Sequence, residues 1–270
     1  MSQFIEKYLE ISRSKNTQLC VSLDPALPSQ RSRAVMPDDD RMAFMKRIIT
    51  DVAPYCSVIK LNRQYLIGLT ADQIRSLNIL IHQNNLLSII DHKLGDIDTS
   101  NDAAIFWFKE ENFDAFTFSP FSANIDKASL LAQQRNLGII VLMLLSNPES
   151  MLYKVATVNE QPLFLYVAER CRKTQVDGFW IGNADHIDVK DVRKLKEKIG
   201  SNILAIAPIY GSEHLIVKSL FYHFEDRAMI CVGGPIVYSD GPRLKAQEFK
   251  ELLNKYKEEM LEKKKSQDDK

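Results

Sequence analysis

An excess of charge of either sign is absent from this 270-residue sequence: Lys+Arg and Asp+Glu both total 35, so the formal net charge is zero. Bulk attraction to nucleic acid or to an anionic membrane surface therefore has no basis in the composition, and neither is expected as a partner. A local cationic pocket stays compatible with a neutral chain. Cysteines are few. The four present, Cys20, Cys56, Cys171 and Cys231, form no C-x-x-C pair and have no histidines at metal-ligand spacing, so no metal site is expected. Three of them lie in or beside apolar runs, where a cysteine behaves as a small buried hydrophobe. The N-terminus, Met-Ser-Gln-Phe-Ile, lacks a basic stretch followed by an apolar one, so no secretory signal is legible. The longest apolar run, residues 138–145, falls far short of the ~20 residues that span a bilayer. A reduced, cytoplasmic, soluble protein is the expectation. With 45% apolar and 26% charged residues, the chain can bury an ordinary globular core.

What is present is a rhythm. Eight short apolar runs recur at 19–23, 58–61, 87–90, 115–118, 139–145, 178–181, 203–207 and 229–232, each bounded by turn or polar residues. They are too apolar throughout to be half-exposed strands, so both faces should be covered. The segments between read as amphipathic helices, with apolar residues at three-to-four spacing over 40–52, 71–82 and 124–134. Strands alternating with helices predict a parallel sheet with right-handed crossovers. Eight such units in this length predict closure into a single (β/α)8 TIM barrel over residues 1–250, with an open doubly wound sheet as the alternative. The last stretch, 249–270, carries few apolar residues and becomes purely charged and polar. Its first half should close the barrel as a helix, and its final eight or so residues should fray into a solvated tail. No linker, low-complexity segment or repeat beyond the βα unit interrupts the pattern.

In such a barrel, function gathers at the C-terminal ends of the strands. The first run ends in Asp24, the second in Lys60 and Asn62, and the third in Asp91 and Lys93, with Asp96 three residues on. The fifth ends in Ser146. The seventh leads into Pro208 and Gly211, and the eighth into Gly233 and Gly234. Residues i and i+2 of a strand share a face, so Asp91 and Lys93 should both point into the mouth while His92 points outward toward a helix. Lys60 on the neighbouring strand can reach them. Most Asp–Lys neighbours are solvated ion pairs of little energetic worth. A carboxylate held between two ammonium groups in a barrel mouth differs, because each group stabilises the other's charged form. Such an array can repel a negative substrate group with its anion and deliver a proton from a cation.

The segment Asp91-His92-Lys93-Leu94-Gly95-Asp96-Ile97 resembles the Asp-x-Lys-x-x-Asp-Ile signature of the orotidine 5′-phosphate decarboxylase family. A shorter form is shared by a superfamily that includes 3-keto-L-gulonate 6-phosphate decarboxylase. The surroundings are similar too: Leu23-Asp24 to the first-strand element, Lys60-Leu61-Asn62 to the second-strand lysine, and Ser146-Asn147-Pro148 to a serine loop that reads the pyrimidine. Gly233-Gly234 and Asp240-Gly241-Pro242 follow the eighth-strand element in outline, and the likeness runs from about residue 18 to 248. It implies cofactor-free decarboxylation of orotidine 5′-phosphate to UMP in pyrimidine biosynthesis. Lys93 would be the proton donor and Asp91 would lie against the departing carboxylate. Lys60 and Asp24 would bind ribose hydroxyls, and Ser146 the ring. Asp96 would reach across a homodimer interface into the partner's site.

The pattern breaks where the family holds phosphate. Its eighth-strand arginine is replaced by Gly234, and its glutamine after the seventh strand by Glu213; Ser100 stands where many members have threonine. Losing the arginine removes a bidentate, charge-assisted contact. Backbone N–H groups at Gly211, Gly233 and Gly234 remain available to an anion. Arg243, Lys218 and His214 are further candidate sources of charge, though plain surface residues are the simpler reading of all three. The resemblance therefore implies either the decarboxylase with an altered phosphate site, or a superfamily member with another substrate or weakened catalysis. The sugar-phosphate members use magnesium with added carboxylates. Here the fourth run ends in Thr117, Ser119 and Pro120, which offer none.

Overall fold

The computed structural model describes residues 2–30, 40–209 and 214–268. Eight strands form a closed barrel in which each strand pairs in parallel with the next and the last with the first. They are β1 (Leu19–Ser22), β2 (Val58–Asn62), β3 (Leu87–Leu94), β4 (Ala115–Phe118), β5 (Gly138–Leu144), β6 (Gly178–Ile181), β7 (Leu204–Pro208) and β8 (Ala228–Val232). Every expected run is a strand, and the barrel, not the open sheet, is the architecture. The predicted helices appear as α2 (Arg41–Val52), α4 (Ala71–Gln83) and α6 (Ile125–Gln134), with α7 (Met151–Val155) and α8 (Leu163–Thr174) following, and α2 begins at the carboxylate cap of Asp40. No described helix is long and apolar enough to cross a membrane.

Strand alternation sorts side chains into two cores. One set, including Leu19, Val21, Ile59, Leu61, Ile90 and Phe116, faces the helices. The other, including Cys20, Val58, Ile89, Ala115, Ile140, Ile206 and Met229, fills the barrel interior. The interior line of each strand leads to the mouth. Lys60 follows Val58, Asp91 follows Ile89, and Thr117 follows Ala115. The opposite end is plugged by α1 (Gln3–Ser14), whose Phe4, Ile5, Tyr8 and Leu9 join the interior core. Tyr8 Oη donates to the Ala228 carbonyl at 2.6 Å, and Ser2 bonds the buried carboxylate of Asp177. The charge array is therefore built on a barrel closed from below.

The C-terminal segment departs from expectation. Instead of fraying over its last eight or so residues, it continues as one helix, α12 (Pro242–Asp268). Ala246, Phe249, Leu253, Tyr256 and Met260 recur at three-to-four spacing and pack on the outer core. Farther along, Lys257 pairs with Asp226 at 2.6 Å, Lys264 with Glu225 at 2.5 Å, and Tyr222 Oη donates to Gln267 at 2.6 Å. These contacts anchor the charged turns that composition alone left without a partner.

Candidate active site

The array forms where β2, β3 and β4 end together. Asn62 is opposite Asp91 in the β2–β3 register, so the two strands bring Lys60 under the Asp91 carboxylate. Lys60 Nζ donates to Asp91 Oδ2 at 2.9 Å, and Lys93 Nζ donates to Oδ1 at 2.8 Å. A third donor was not foreseen: the Thr117 hydroxyl reaches Asp91 Oδ1 at 2.9 Å. Lys60 is 5% exposed, whereas the Lys93 side chain is 48% exposed. Of the two cations, Lys93 is the one open to an incoming molecule.

Lys93 points with Asp91, as expected, but not by regular strand alternation. Between the pairs Ile90–Phe116 and Leu94–Phe118, β3 has three residues where β4 has one. This bulge puts Lys93 at φ 56°, a left-handed conformation uncommon for a residue with a side chain. His92 turns outward and meets the Phe108 ring of α5 (Asp98–Glu110) at 5.2 Å, edge to face. Burial and the nearby Arg63 guanidinium lower the His92 pKa, which favours its neutral form.

Burial alone would push the Asp91 carboxyl up, but Lys60 and Lys93 outweigh it and hold the group well below the usual carboxylate range. Burial likewise opposes the Lys60 charge, and Asp91 and Asp24 together lift its pKa above that of an ordinary lysine. Asp24 behaves differently. Its Oδ1 accepts the Asn62 N–H at 3.2 Å, yet burial raises its pKa more than Lys60 lowers it. Asp91 is thus the main counter-ion of Lys60. Trp180 of β6 places its ring 5.7 Å from Lys60 Nζ and adds a cation–π contact that sequence reading missed.

Other predicted residues take part in contacts outside the Lys60–Asp91–Lys93 array. The Asn62 side chain caps the short α3 (Arg63–Leu66) through Gln64 N–H. Asp96 and Ser100 are exposed. Asp96 Oδ1 accepts the Ile97 N–H at 2.7 Å, and its backbone is bound on both sides by Asn101. Ser146 Oγ accepts the Asn183 N–H at 3.2 Å. This close approach needs Gly182, where an added Cβ would lie 2.7 Å from the Ser146 nitrogen. Pro208 ends β7, and Gly233 and Gly234 follow β8 into the short α11 (Gly234–Val237). Gly211 and Glu213 lie outside the described residues.

The suggested replacement cations are engaged elsewhere. Lys218 of α10 (Leu215–Phe224) pairs with Glu259 at 3.3 Å, and His214 Nδ1 is 3.0 Å from Tyr256 Oη. Arg243 lies beside Tyr55 and Asp51. A groove of about 660 Å³ runs between α9 (Val189–Ile199), α10 and α12, on the outside of the barrel and away from the array. Among the described residues, no group of three His, Cys, Asp or Glu side chains is arranged to hold a metal.

The depressed Asp91 pKa has a definite sign for stability. The carboxylate stabilises the fold above the unfolded value of about 4, and that contribution shrinks as pH falls toward the folded value. Asp91→Asn should lower the unfolding free energy at pH 7 by about 3 kcal/mol, because it strands Lys60 among apolar strands. Urea denaturation at pH 7 and pH 3 should show a smaller gap between the two proteins at pH 3. A gap independent of pH would contradict the pairing.

Comparison with known proteins identifies the family. The family model described as Orotidine 5'-phosphate decarboxylase / HUMPS family matches residues 17–249. An orotidine 5'-phosphate decarboxylase of Dehalococcoides mccartyi is 26% identical, over 94% of this chain and 98% of that protein. One from Janthinobacterium sp. strain Marseille is 29% identical over 62% of each chain, so the match spans less than two thirds of that relative. Among solved structures, a putative orotidine-monophosphate-decarboxylase from Toxoplasma gondii shares the fold with a TM-score of 0.80 at 18% identity, covering 95% of this chain and 98% of that one. The Methanocaldococcus jannaschii enzyme complexed with inhibitor BMP has a TM-score of 0.66 at 20% identity, covering 87% and 98%. With the family matched from strand to closing helix, this chain belongs to the orotidine 5'-phosphate decarboxylase / HUMPS family.

Proposed function

We propose that this protein decarboxylates orotidine 5′-phosphate to UMP, using the Lys60–Asp91–Lys93 array and no cofactor, in a cytoplasmic pathway of pyrimidine biosynthesis. The single observation that carries this reading is Asp91, held ionised by two ammonium groups at the barrel mouth. A substrate carboxylate placed against Asp91 meets a fixed negative charge, which its departure as CO₂ relieves. The C–C bond breaks, its electron pair stays on the ring carbon, and Lys93 supplies the proton that fills the vacated position. Because Lys60 and Thr117 keep Asp91 charged through the cycle, no solvent reorganisation is needed at the moment of reaction. Asp24 and Lys60 bind ribose hydroxyls, with Asn62 and Ser100 close by, and Ser146 holds the ring. Pro208, Gly233 and Gly234 line the phosphate end, and the family resemblance assigns Gly211, which lies outside the described residues, to the same group.

Asp96 serves the partner's site in a homodimer. Support comes from its exposure outside the array of its own subunit, which leaves its carboxylate open to a second chain.

One observation favours a second reading, an altered substrate or weakened catalysis. Gly234 is exposed and offers no guanidinium where the family grips phosphate. Remote phosphate contacts convert binding energy into rate, so their loss lowers turnover as well as affinity.

Three measurements test these assignments. Loss of orotidine 5′-phosphate, followed by ultraviolet absorbance, should be catalysed by the wild type and fall by about 10²–10⁴-fold or more in Lys93→Ala. No turnover by folded wild-type protein would favour the second reading. Lys93→Ala and Asp96→Ala should each be inactive alone, while an equal mixture should regain about a quarter of the sites if each site uses both chains. Mixtures that stay inactive would rule out shared sites. A Cβ added at Gly234 would meet only Tyr238, at 3.8 Å, so the position has room for a side chain. Gly234→Arg should therefore tighten UMP binding about 10- to 100-fold by calorimetry. Unchanged affinity would put the phosphate elsewhere.

A further inference from the structure

The interior line of β4 ends in Thr117, which is 1% exposed. It stands alone opposite the three bulged residues Asp91, His92 and Lys93. A bulge takes backbone groups out of the ladder, and a buried N–H without a partner is costly. Here the Lys93 N–H donates to Thr117 Oγ1 at 2.9 Å. The same hydroxyl donates its proton to Asp91 Oδ1 at 2.9 Å, and that carboxylate oxygen also receives Lys93 Nζ at 2.8 Å. The contacts form a closed ring: the Lys93 backbone to Thr117, Thr117 to Asp91, and Asp91 back to the Lys93 side chain.

We propose that Thr117 is a positioning residue whose hydroxyl, by bridging the Lys93 backbone and the Asp91 carboxylate, sets the direction of the Lys93 ammonium. What Lys93 then does rests on the decarboxylase reading above; the positioning itself does not. Such a bridge demands one atom that both accepts and donates, which a hydroxyl does and a methyl cannot. The β-branch of threonine narrows the side chain's rotamers and so eases the ordering of the bridge, a smaller contribution than the hydroxyl itself. The left-handed backbone at Lys93 is disfavoured for a lysine and persists only while the surroundings over-determine it. Thr117 is the contact that ties this backbone to the charge array, so its loss frees the Lys93 N–H and removes one of the donors that fix the Asp91 oxygen met by the Lys93 ammonium.

The test compares wild type, Thr117→Val and Thr117→Ser, labelled with ¹⁵N-lysine, with the Lys93 amide identified by its absence in Lys93→Arg. Thr117→Val keeps the shape and removes the hydroxyl; Thr117→Ala makes the same comparison if the valine protein does not fold. The Lys93 amide should exchange with solvent at least about tenfold faster in Thr117→Val, and Thr117→Ser should stay near wild type. Turnover of orotidine 5′-phosphate should fall about 10- to 100-fold in kcat with KM nearly unchanged, and the serine variant should recover most of it. Equal amide exchange in wild type and Thr117→Val would overturn the assignment. So would faster exchange with undiminished kcat. Should wild type itself not turn over the nucleotide, the decarboxylase reading fails, and the exchange comparison alone decides the positioning.

Discussion

A lysine ammonium placed among apolar strands loses its hydration, and the cost is several kcal/mol unless a carboxylate stands against it. Lys60 meets that condition through Asp91, and Asp91 in turn is kept charged by Lys60, Lys93 and the Thr117 hydroxyl. Neither of the two buried groups, Lys60 and Asp91, is tolerable there alone. Their mutual dependence makes the negative charge at the mouth a permanent feature, available to any ligand that arrives. Asp24, a short distance away, shows the contrast: with weaker pairing, burial prevails and its pKa rises.

The barrel separates this charged end from the part that holds it together. Below, α1 seals the interior with Phe4, Ile5, Tyr8 and Leu9, and the Tyr8 hydroxyl satisfies a carbonyl of β8. Around the outside, the helices cover the second strand face, and α12 extends the ring with an apolar stripe and ion pairs. An apolar lower core can be packed densely without regard to chemistry. The upper layer is then free to carry groups that would destabilise any other position.

The elements differed in how plainly the chain announced them. All eight strands were legible because a strand covered on both faces must be apolar at every position, and few other structures ask for that. Lys60, Asp91 and Lys93 were legible because charges that end such runs have few bland explanations. The apolar stripe of α12 was present in the residues, yet its high charge obscured it; the acidic groups of Glu225 and Asp226 that meet its basic turns come from elsewhere in the chain. Thr117 gave less signal. A threonine ending a strand is commonplace, and its importance comes from what stands across from it.

The order of apolar runs determined the closed parallel barrel, and the residues after those runs determined which charges stand at its mouth. That follows because strand period and burial are local properties, carried by each segment by itself. The tertiary structure decided what no segment contains. The β3–β4 register creates the bulge that turns Lys93 onto Asp91 and supplies Thr117 as its partner. Register is a relation between two strands, fixed only when both are paired, so neither strand's sequence states it alone.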